Sequence, residues 1–278
     1  MILYRKVYWK QRCAALGKKK ERVLQILELL QKNESMTVKA LSETFGVSEM
    51  TIRRDLEELK KTNMLERSYG RATIQNSKQV FIDGDEYYDI TVAQLQRSSE
   101  KDAIARYAAS LIEPGDFVII DSGTTTHRIA KHLKDAHDIT VLCYNYNILS
   151  NLQRNMDINI IFGGGYYHPE DKMFTSRENV EFIHSLRANK AFISASGFHS
   201  NLGITCIHAH EVDNKQAAIS SSAERILVMD SSKFGLVRPA YFAALSDINI
   251  LITDNGISQE WSKIVTDAGI DLRIVSTD

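Results

Sequence analysis

Two groups of residues in this chain have the types and spacing to do chemistry. The first is Ser48-Glu49-Met50-Thr51-Ile52-Arg53-Arg54-Asp55-Leu56. Ser48 is a favourable helix N-cap, Glu49 puts negative charge in the first turn, and Ile52, Leu56 and Leu59 recur at i, i+4 and i+7 to give one apolar face. Met50, Thr51, Arg53 and Arg54 are left outside, and small polar residues with arginines near a helix N-terminus suit the DNA major groove. A solvated surface helix with two arginines has the same pattern, so this stretch alone does not decide. The second group is Asp121-Ser122-Gly123-Thr124-Thr125-Thr126, which follows an apolar strand and opens a helix. Its backbone N–H groups, hydroxyls and helix N-terminus can all face a phosphate. Gly163-Gly164-Gly165 allows close backbone approach, and Ser196-Gly197, Asp230-Ser231-Ser232-Lys233 and Thr253-Asp254 follow later strands. Each cluster is weak by itself, because Ser, Thr and Gly are common in loops and caps. Their coincidence on one sheet edge is the stronger signal.

The flanking residues supply two different scaffolds for these groups. Upstream of Ser48, Val23, Ile26, Leu27 and Leu30 share one helical face, and Val38, Leu41 and Phe45 share another, stopped by Gly46. Val47 packs the tight turn. Downstream, Met64 to Ser68 and Ala72 to Ile74 read as short strands around Tyr69-Gly70-Arg71. Helix, helix, recognition helix and basic-tipped hairpin make a winged helix-turn-helix over residues 18–76. Residues 1–17 form a basic extension, and residues 77–99, acidic around Asp83-Gly84-Asp85-Glu86, form a connector.

Residues 100–278 have another rhythm. Ala103, Ile104, Tyr107, Ala108 and Leu111 mark an amphipathic helix, Pro114-Gly115 a turn, and Phe117 to Ile120 a continuous apolar strand. Further strands are expected at Thr140 to Cys143, Ile158 to Phe162, Ala191 to Ser194, Ile226 to Met229, Ile250 to Thr253 and Leu272 to Val275. Helices are expected at Thr126 to Leu133, Val212 to Ala223 and Ser258 to Asp267. Apolar strands alternating with helices imply a mainly parallel sheet covered on both faces, with ligands held beyond the strands' carboxyl ends. The predicted fold class is therefore α/β: a small N-terminal winged helix-turn-helix domain and a larger C-terminal α/β domain with a mainly parallel sheet.

A chain of 278 residues has room for two domains. Residues 1–76 hold 16 Lys and Arg against 9 Asp and Glu, a net +7, which leaves −8 on the rest to reach the overall −1. Phosphate neutralisation by basic residues supplies most non-specific DNA affinity, so the asymmetry fits a DNA-binding head on an acidic body. Cys13, Cys143 and Cys206 are odd in number, widely spaced and without a CxxC, which gives neither a disulfide framework nor a zinc motif. No apolar run approaches the roughly 18 residues of a membrane span, and no signal-peptide pattern appears. The expected compartment is a reducing cytoplasm, with no membrane partner.

The run from Arg22 to Ile74, centred on Val47-Ser48 and Thr51 to Leu56, resembles the DeoR family of bacterial sugar-responsive transcription regulators. The likeness continues through Glu100-Lys101, Asp121 to Thr126, Gly163-Gly164, Ala191-Phe192-Ile193, Gly197, Gly203-Ile204-Thr205, Glu211, Lys215, Asp230 to Gly235 and Thr253-Asp254. Departures are Arg71, where the family has a second wing glycine, Cys143-Tyr144-Asn145 in place of Thr-Asn-Ser, and Met173 to Ser176, which lacks the usual glycine. In that family the second domain is similar to ribose-phosphate isomerases and senses a phosphorylated sugar. The resemblance implies DNA contacts from Thr37, Ser48, Met50, Thr51, Arg53, Arg54 and Arg71. It implies an effector site built from Asp121, Ser122, Gly123, Thr124, Thr125, Thr126, Asn145, Gly163, Gly164, Gly197, Glu211, Lys215 and Lys233.

The function so implied is a repressor of a sugar-utilisation operon, whose hold on double-stranded operator DNA is modulated by a small phosphosugar, acting as a homo-oligomer (dimer or tetramer) without a cofactor. Two other readings stand beside it. Asp121, Glu211, Lys215 and Lys233 would also serve an aldose-ketose isomerase, although an enzyme has no need of the winged head. A DNA-binding protein with a degenerate, structural pocket is the other. His208-Ala209-His210-Glu211, with His199 nearby, offers at most two histidine ligands where a metal needs three or four, so no metal site is expected.

Overall fold

The computed structural model describes residues 22, 26, 29, 35–61, 65–68, 71–74 and 96–277, with the backbone alone at 35, 58–61, 65–68 and 71–74. The expectations on residues 1–17, on most of the connector, and on Val23, Leu27, Leu30, Met64, Tyr69 and Gly70 lie outside these residues, as do the side chains of Leu59 and Arg71. The chain divides into two compact units, Met1–Thr91 and Val92–Asp278.

In the first unit, Arg22, Ile26 and Leu29 are helical and Ile26 is fully buried. β1 (Ser35–Thr37) leads directly into α1 (Val38–Phe45), whose N-cap Thr37 accepts a hydrogen bond from the Ala40 N–H at 3.1 Å. A Thr cap of this kind contributes about 1 kcal/mol. Gly46, at φ 60°, closes the helix in the left-handed region that a Cβ would penalise. The turn is cross-tied: the Val47 N–H donates to the Ser42 carbonyl, and the Ser42 hydroxyl donates to the Val47 carbonyl at 2.6 Å. α2 (Glu49–Lys61) then buries Ile52 and Leu56, as the spacing predicts. β2 (Leu65–Ser68) and β3 (Arg71–Ile74) form the expected hairpin, but β1 adds a third strand in the order β1-β3-β2, all antiparallel. Arg71 is therefore the first residue of β3, paired with both Thr37 and Ser68, not part of the tip.

The second unit is built on a seven-stranded sheet in the order β15-β14-β12-β9-β4-β5-β6, parallel throughout. The strands are β4 (Phe117–Ile120), β5 (Ile139–Cys143), β6 (Ile158–Phe162), β9 (Ala188–Ser194), β12 (Ser222–Val228), β14 (Ile250–Asp254) and β15 (Asp271–Val275). They fall where continuous apolar runs were expected. Alternate residues serve opposite faces, which explains the continuity. Ile119, Leu142, Ala191, Ile193 and Leu227 belong to one core cluster. Val118, Ile120, Val141, Phe192 and Val228 belong to the other. Fully burying each such side chain contributes about 1.5–3 kcal/mol.

Helices α3 (Ser98–Ser110), α4 (Thr126–His132) and α5 (Tyr146–Leu152) supply buried residues to the second cluster, and α6 (Arg177–Ser185) and α7 (Val212–Ser220) to the first. α8 (Gln259–Asp267) begins at the N-cap Ser258. Several boundaries move: α7 ends three residues before Ala223 because Ser222 opens β12, and β9 starts at Ala188 instead of Ala191. Outside the main sheet lie the hairpin β7 (Tyr166–His168) with β8 (Met173–Thr175), and an antiparallel sheet of β10 (Gly197–His199), β11 (Gly203–Cys206) and β13 (Ala240–Ala243). No apolar periodicity announced these short strands.

Candidate functional site

In the first unit the residues expected to face DNA centre on α2. The Ser48 hydroxyl accepts from the Thr51 N–H at 3.2 Å and lies 2.9 Å from the Thr51 hydroxyl, so both residues are spent partly on starting the helix. Met50 is 62% exposed, Arg54 is exposed, and Arg53 forms an i,i+4 pair with Glu49 at 3.3 Å. An exposed pair of this kind is worth only a few tenths of a kcal/mol, so a phosphate displaces it readily. Asp55 lies on the inner side, 1% exposed, where its carboxylate accepts from Arg22 Nε at 2.7 Å and Nη2 at 3.4 Å. This forked contact ties the first helical segment to α2 and fixes its orientation, a role that the sequence alone did not assign to either residue. Thr37 is exposed and carries the α1 cap.

In the second unit the chain order of the sheet reverses between β4 and β9. Strands run outward from β4 through β5 and β6 on one side, and from β9 through β12, β14 and β15 on the other. Open parallel sheets bind ligands at such a switch point, beyond the carboxyl ends. There the structure places Asp121, fully buried, directly after β4. Its Oδ2 accepts from Lys215 Nζ at 2.5 Å and from the Ser194 N–H and hydroxyl at 3.0 Å each, and its Oδ1 accepts from the Tyr144 hydroxyl at 2.7 Å. Lys215, from α7, also donates to the Ser194 carbonyl at 3.0 Å and lies 3.6 Å from Glu211. Burial works against the Lys215 charge, but Asp121 and Glu211 outweigh it and hold its pKa above the ordinary lysine value. Burial raises the Glu211 pKa despite Lys215, and burial with the Asp121 charge raises that of the Tyr144 phenol. Tyr144, one of the departures from the family pattern, is thus a fully buried, hydrogen-bonded member of this cluster.

The loop after Asp121 is shaped by neighbours. A Cβ on Gly123 would collide with the Ser194 hydroxyl, and the Thr126 hydroxyl donates back to the Gly123 carbonyl at 3.2 Å. Thr125 is the N-cap of α4 but makes no side-chain capping bond, and Thr124 is half-buried. With seven residues, α4 is too short for its dipole to be the main attraction for an anion. The donors have to be the loop N–H groups, the hydroxyls and nearby cations. Asn145 Nδ2 donates to the Ser122 hydroxyl at 2.8 Å and to the Asp171 carbonyl at 2.9 Å, while its Oδ1 accepts from the Asn147 N–H at 2.9 Å. It braces the loop. Gly197 is explained by packing, because a Cβ there would lie 2.5 Å from the Leu236 carbonyl oxygen and 2.6 Å from the Thr205 hydroxyl. Gly163 abuts Asn179, whereas Gly164 is exposed with open space beside it.

Lys233 belongs to a second group, at the ends of β12 and β14. It closes the turn Ser231–Lys233, whose N-cap Asp230 accepts from the Ser232 N–H. Asp254 accepts from the Ser231 N–H at 2.6 Å and hydroxyl at 2.7 Å, and Arg97 donates to the Ser231 hydroxyl at 3.1 Å. The buried Lys101 of α3 feels Asp230, Lys233 and Arg128 electrostatically, and burial lowers its pKa to about 7. Lys101 also perturbs His127, so the second group extends to the first turn of α4. Lys101 stands in the Glu100-Lys101 motif without an assigned role, and Ser194, Arg97 and Arg128 lie outside the expected site residues. Arg128 had a sequence signal, a basic residue two positions beyond the Ser122–Thr126 loop, and its guanidinium reaches Ser98 at 2.9 Å.

A capped, arginine-bearing helix beside a small antiparallel sheet, on a chain that also carries a parallel α/β unit with a charged switch-point cluster, defines a DNA-binding regulator with a ligand-sensing domain. The comparisons agree: residues 22–78 match the DeoR-like helix-turn-helix domain and residues 96–255 the DeoR C terminal sensor domain. The chain belongs to the DeoR family. It is 32% identical over 255 residues to the uncharacterized HTH-type transcriptional regulator YulB of Bacillus subtilis, covering 92% of this chain and 96% of that one. It is 29% identical to the deoxyribose operon repressor of Escherichia coli, over 88% of this chain and 94% of that one, and 30% identical to that organism's glycerol-3-phosphate regulon repressor, over 90% and 96%. These relatives, matched over nearly their whole length, are regulators, which places this chain with regulators and not with enzymes. Ribose 5 phosphate isomerase A from Neisseria gonorrhoeae overlaps 50% of this chain and 53% of its own at 16% identity, with a TM-score of 0.34, too loosely to support an isomerase. No helix among the described residues is long and apolar enough to cross a membrane.

Proposed function

We propose that this protein is a repressor of a sugar-utilisation operon, bound to double-stranded operator DNA through α2 and the wing, and released when a phosphorylated sugar occupies the sensor unit. The observation that carries this reading is the cluster of Asp121, Lys215 and Glu211 at the switch between β4 and β9, with the Ser122–Thr126 loop on the same strand end. Thr124, with loop N–H groups and Lys233, forms the anion end; Glu211 and Gly164 border the sugar. Asp121 and Lys215 neutralise each other, so a ligand reaches them by exchanging hydrogen bonds within the cluster rather than by meeting a bare charge. The repressor names of the Escherichia coli relatives support the sign of regulation, and one is named for the regulon of a phosphorylated polyol. Effector lowers operator affinity only to the extent that it prefers the sensor conformation incompatible with DNA. Two heads one helical turn apart read a palindromic site, so the working form is a homo-oligomer.

A thermal-shift screen of the full chain against sugar phosphates, followed by operator release measured by fluorescence anisotropy, tests the proposal. One phosphosugar should raise the melting temperature and weaken operator binding, while its unphosphorylated sugar should do neither. Lys233→Ala should weaken that phosphosugar roughly ten- to a hundredfold, as loss of one charge-assisted contact worth about 1.5–3 kcal/mol implies. Equal affinity in parent and variant by calorimetry would put the anion end elsewhere.

A further inference from the structure

The histidines set aside in the sequence do not stand alone in the fold. His210 lies in the short turn Ala209–Glu211, and the β7–β8 hairpin, some forty residues earlier, brings His168 onto it: the rings stack with centroids 3.7 Å apart and planes 9° apart. Glu170, from the same hairpin, completes a group in which one donor atom from each of His168, Glu170 and His210 lies within 4.8 Å of the others. The outer contacts of the two rings are already made. His210 Nε2 meets the Asp171 carboxylate at 2.5 Å, and His168 Nε2 meets the Thr175 hydroxyl at 2.7 Å. At neutral His210 the carboxylate can only accept, so Nε2 carries the proton and Nδ1 the lone pair, the arrangement by which a carboxylate orients a metal-bound histidine, while the Thr175 hydroxyl, able to donate or accept, anchors the His168 ring. Glu170 Oε1 lies 3.8 Å from His168 Nδ1.

We propose that His168, Glu170 and His210 bind one divalent metal ion of borderline softness, Zn²⁺ by preference, with Asp171 and Thr175 as the groups that orient the imidazoles. Two imidazoles and a carboxylate suit Zn²⁺ or its neighbours Co²⁺ and Ni²⁺, and leave a fourth position for an oxygen donor. Metal–nitrogen bonds of about 2.0–2.1 Å in a tetrahedral site set donor atoms about 3.3 Å apart. Donor atoms that lie within 4.8 Å of one another therefore draw together toward that spacing as the ion binds, with the Asp171 and Thr175 contacts kept. His210 and Glu211 are consecutive, so the ion sits next to the Lys215–Asp121 cluster in sequence and in the fold. The proposal does not depend on which effector the sensor takes.

The test uses untagged full-length protein carrying Cys13→Ser, stripped with chelator and titrated with Zn²⁺ by calorimetry and with Co²⁺ by visible absorption. One ion per chain is expected, with the stronger d–d absorption of a site of low coordination number. Glu170→Gln and His210→Ala should each weaken Zn²⁺ at least tenfold, and Asp171→Asn, whose carboxylate meets the outer nitrogen of His210 and lies 3.5 Å from His208 Nε2, by ten- to a hundredfold. Thermal melts without metal check that each variant is folded. Glu170 is 41% exposed, so its substitution keeps the test valid if a histidine variant fails to fold. Absence of saturable binding in the parent, or affinity unchanged in folded Glu170→Gln and His210→Ala, overturns the proposal.

Discussion

At the scale of single residues, the candidate site holds a carboxylate and an ammonium that are both withdrawn from water. Lys215 is 1% and Asp121 0% exposed. Removing one partner leaves the other charge buried, so Lys215→Met should destabilise the sensor by about 3–5 kcal/mol, and Asp121→Asn with Lys215→Met should recover most of that loss. Urea unfolding of the full chain followed by tryptophan fluorescence measures both. His127 gives the pH dependence. Burial, with Lys131 and Arg128 nearby, lowers its pKa to about 3 against 6.5 for the free side chain. Between those values the unfolded chain binds the extra proton, so stability is complete above pH 6.5 and falls as pH drops through the window, by a limit on the order of 5 kcal/mol. His127→Gln should flatten that part of the melting-temperature curve. Residue types at the site were legible in the sequence: Asp121, Glu211 and Lys215 were all marked. Their occupation of one another was not, because α7 brings Lys215 to Asp121 across 94 positions that carry no shared local pattern.

At the scale of elements, what could be read depended on length and continuity. All seven parallel strands were visible, since each carries a cluster of apolar residues, even where a polar residue interrupts it, as Asn159 does in β6 and Arg273 in the largely exposed β15. β1, β7, β8, β10, β11 and β13 were not, having three or four residues each and no alternation long enough to register. The β7–β8 hairpin thus gives no signal that would join His168 to His210, whereas Arg71 differs only because β3 begins one residue before its expected start. α2 was legible down to its cap. Ser48→Ala should cost about 1 kcal/mol of head stability and weaken DNA binding through it, whereas Arg54→Ala should leave the melting temperature unchanged and cost about 1–3 kcal/mol of binding if that arginine reads a base. If Arg53→Ala and Arg54→Ala both bind DNA like the parent, α2 is not the reading element. Asp55→Asn separates orientation from contact, since it releases Arg22 without touching the exposed face; operator affinity should fall with the salt slope preserved.

At the scale of the whole molecule, charge is divided as function requires: the first 76 residues carry net +7 and the rest −8. Operator affinity should fall steeply with salt, by close to one logarithmic unit per unit of log salt for each phosphate neutralised, and the acidic unit alone should not bind DNA. Sedimentation at micromolar concentration should give a dimer or larger species. The sheet order also sets a timetable for the chain as it is made. β5 and β6 follow β4 closely, but the other flank of β4 pairs with β9, where Ile120 meets Phe192. At about 5–20 residues per second, the ribosome needs roughly 4–15 s to supply that partner. During those seconds the helix-turn-helix has already left the exit tunnel, while the central strand of the sensor still offers one apolar, unpaired edge. Newly made copies should therefore be most prone to aggregate, and most dependent on chaperones, after the head can already recognise DNA.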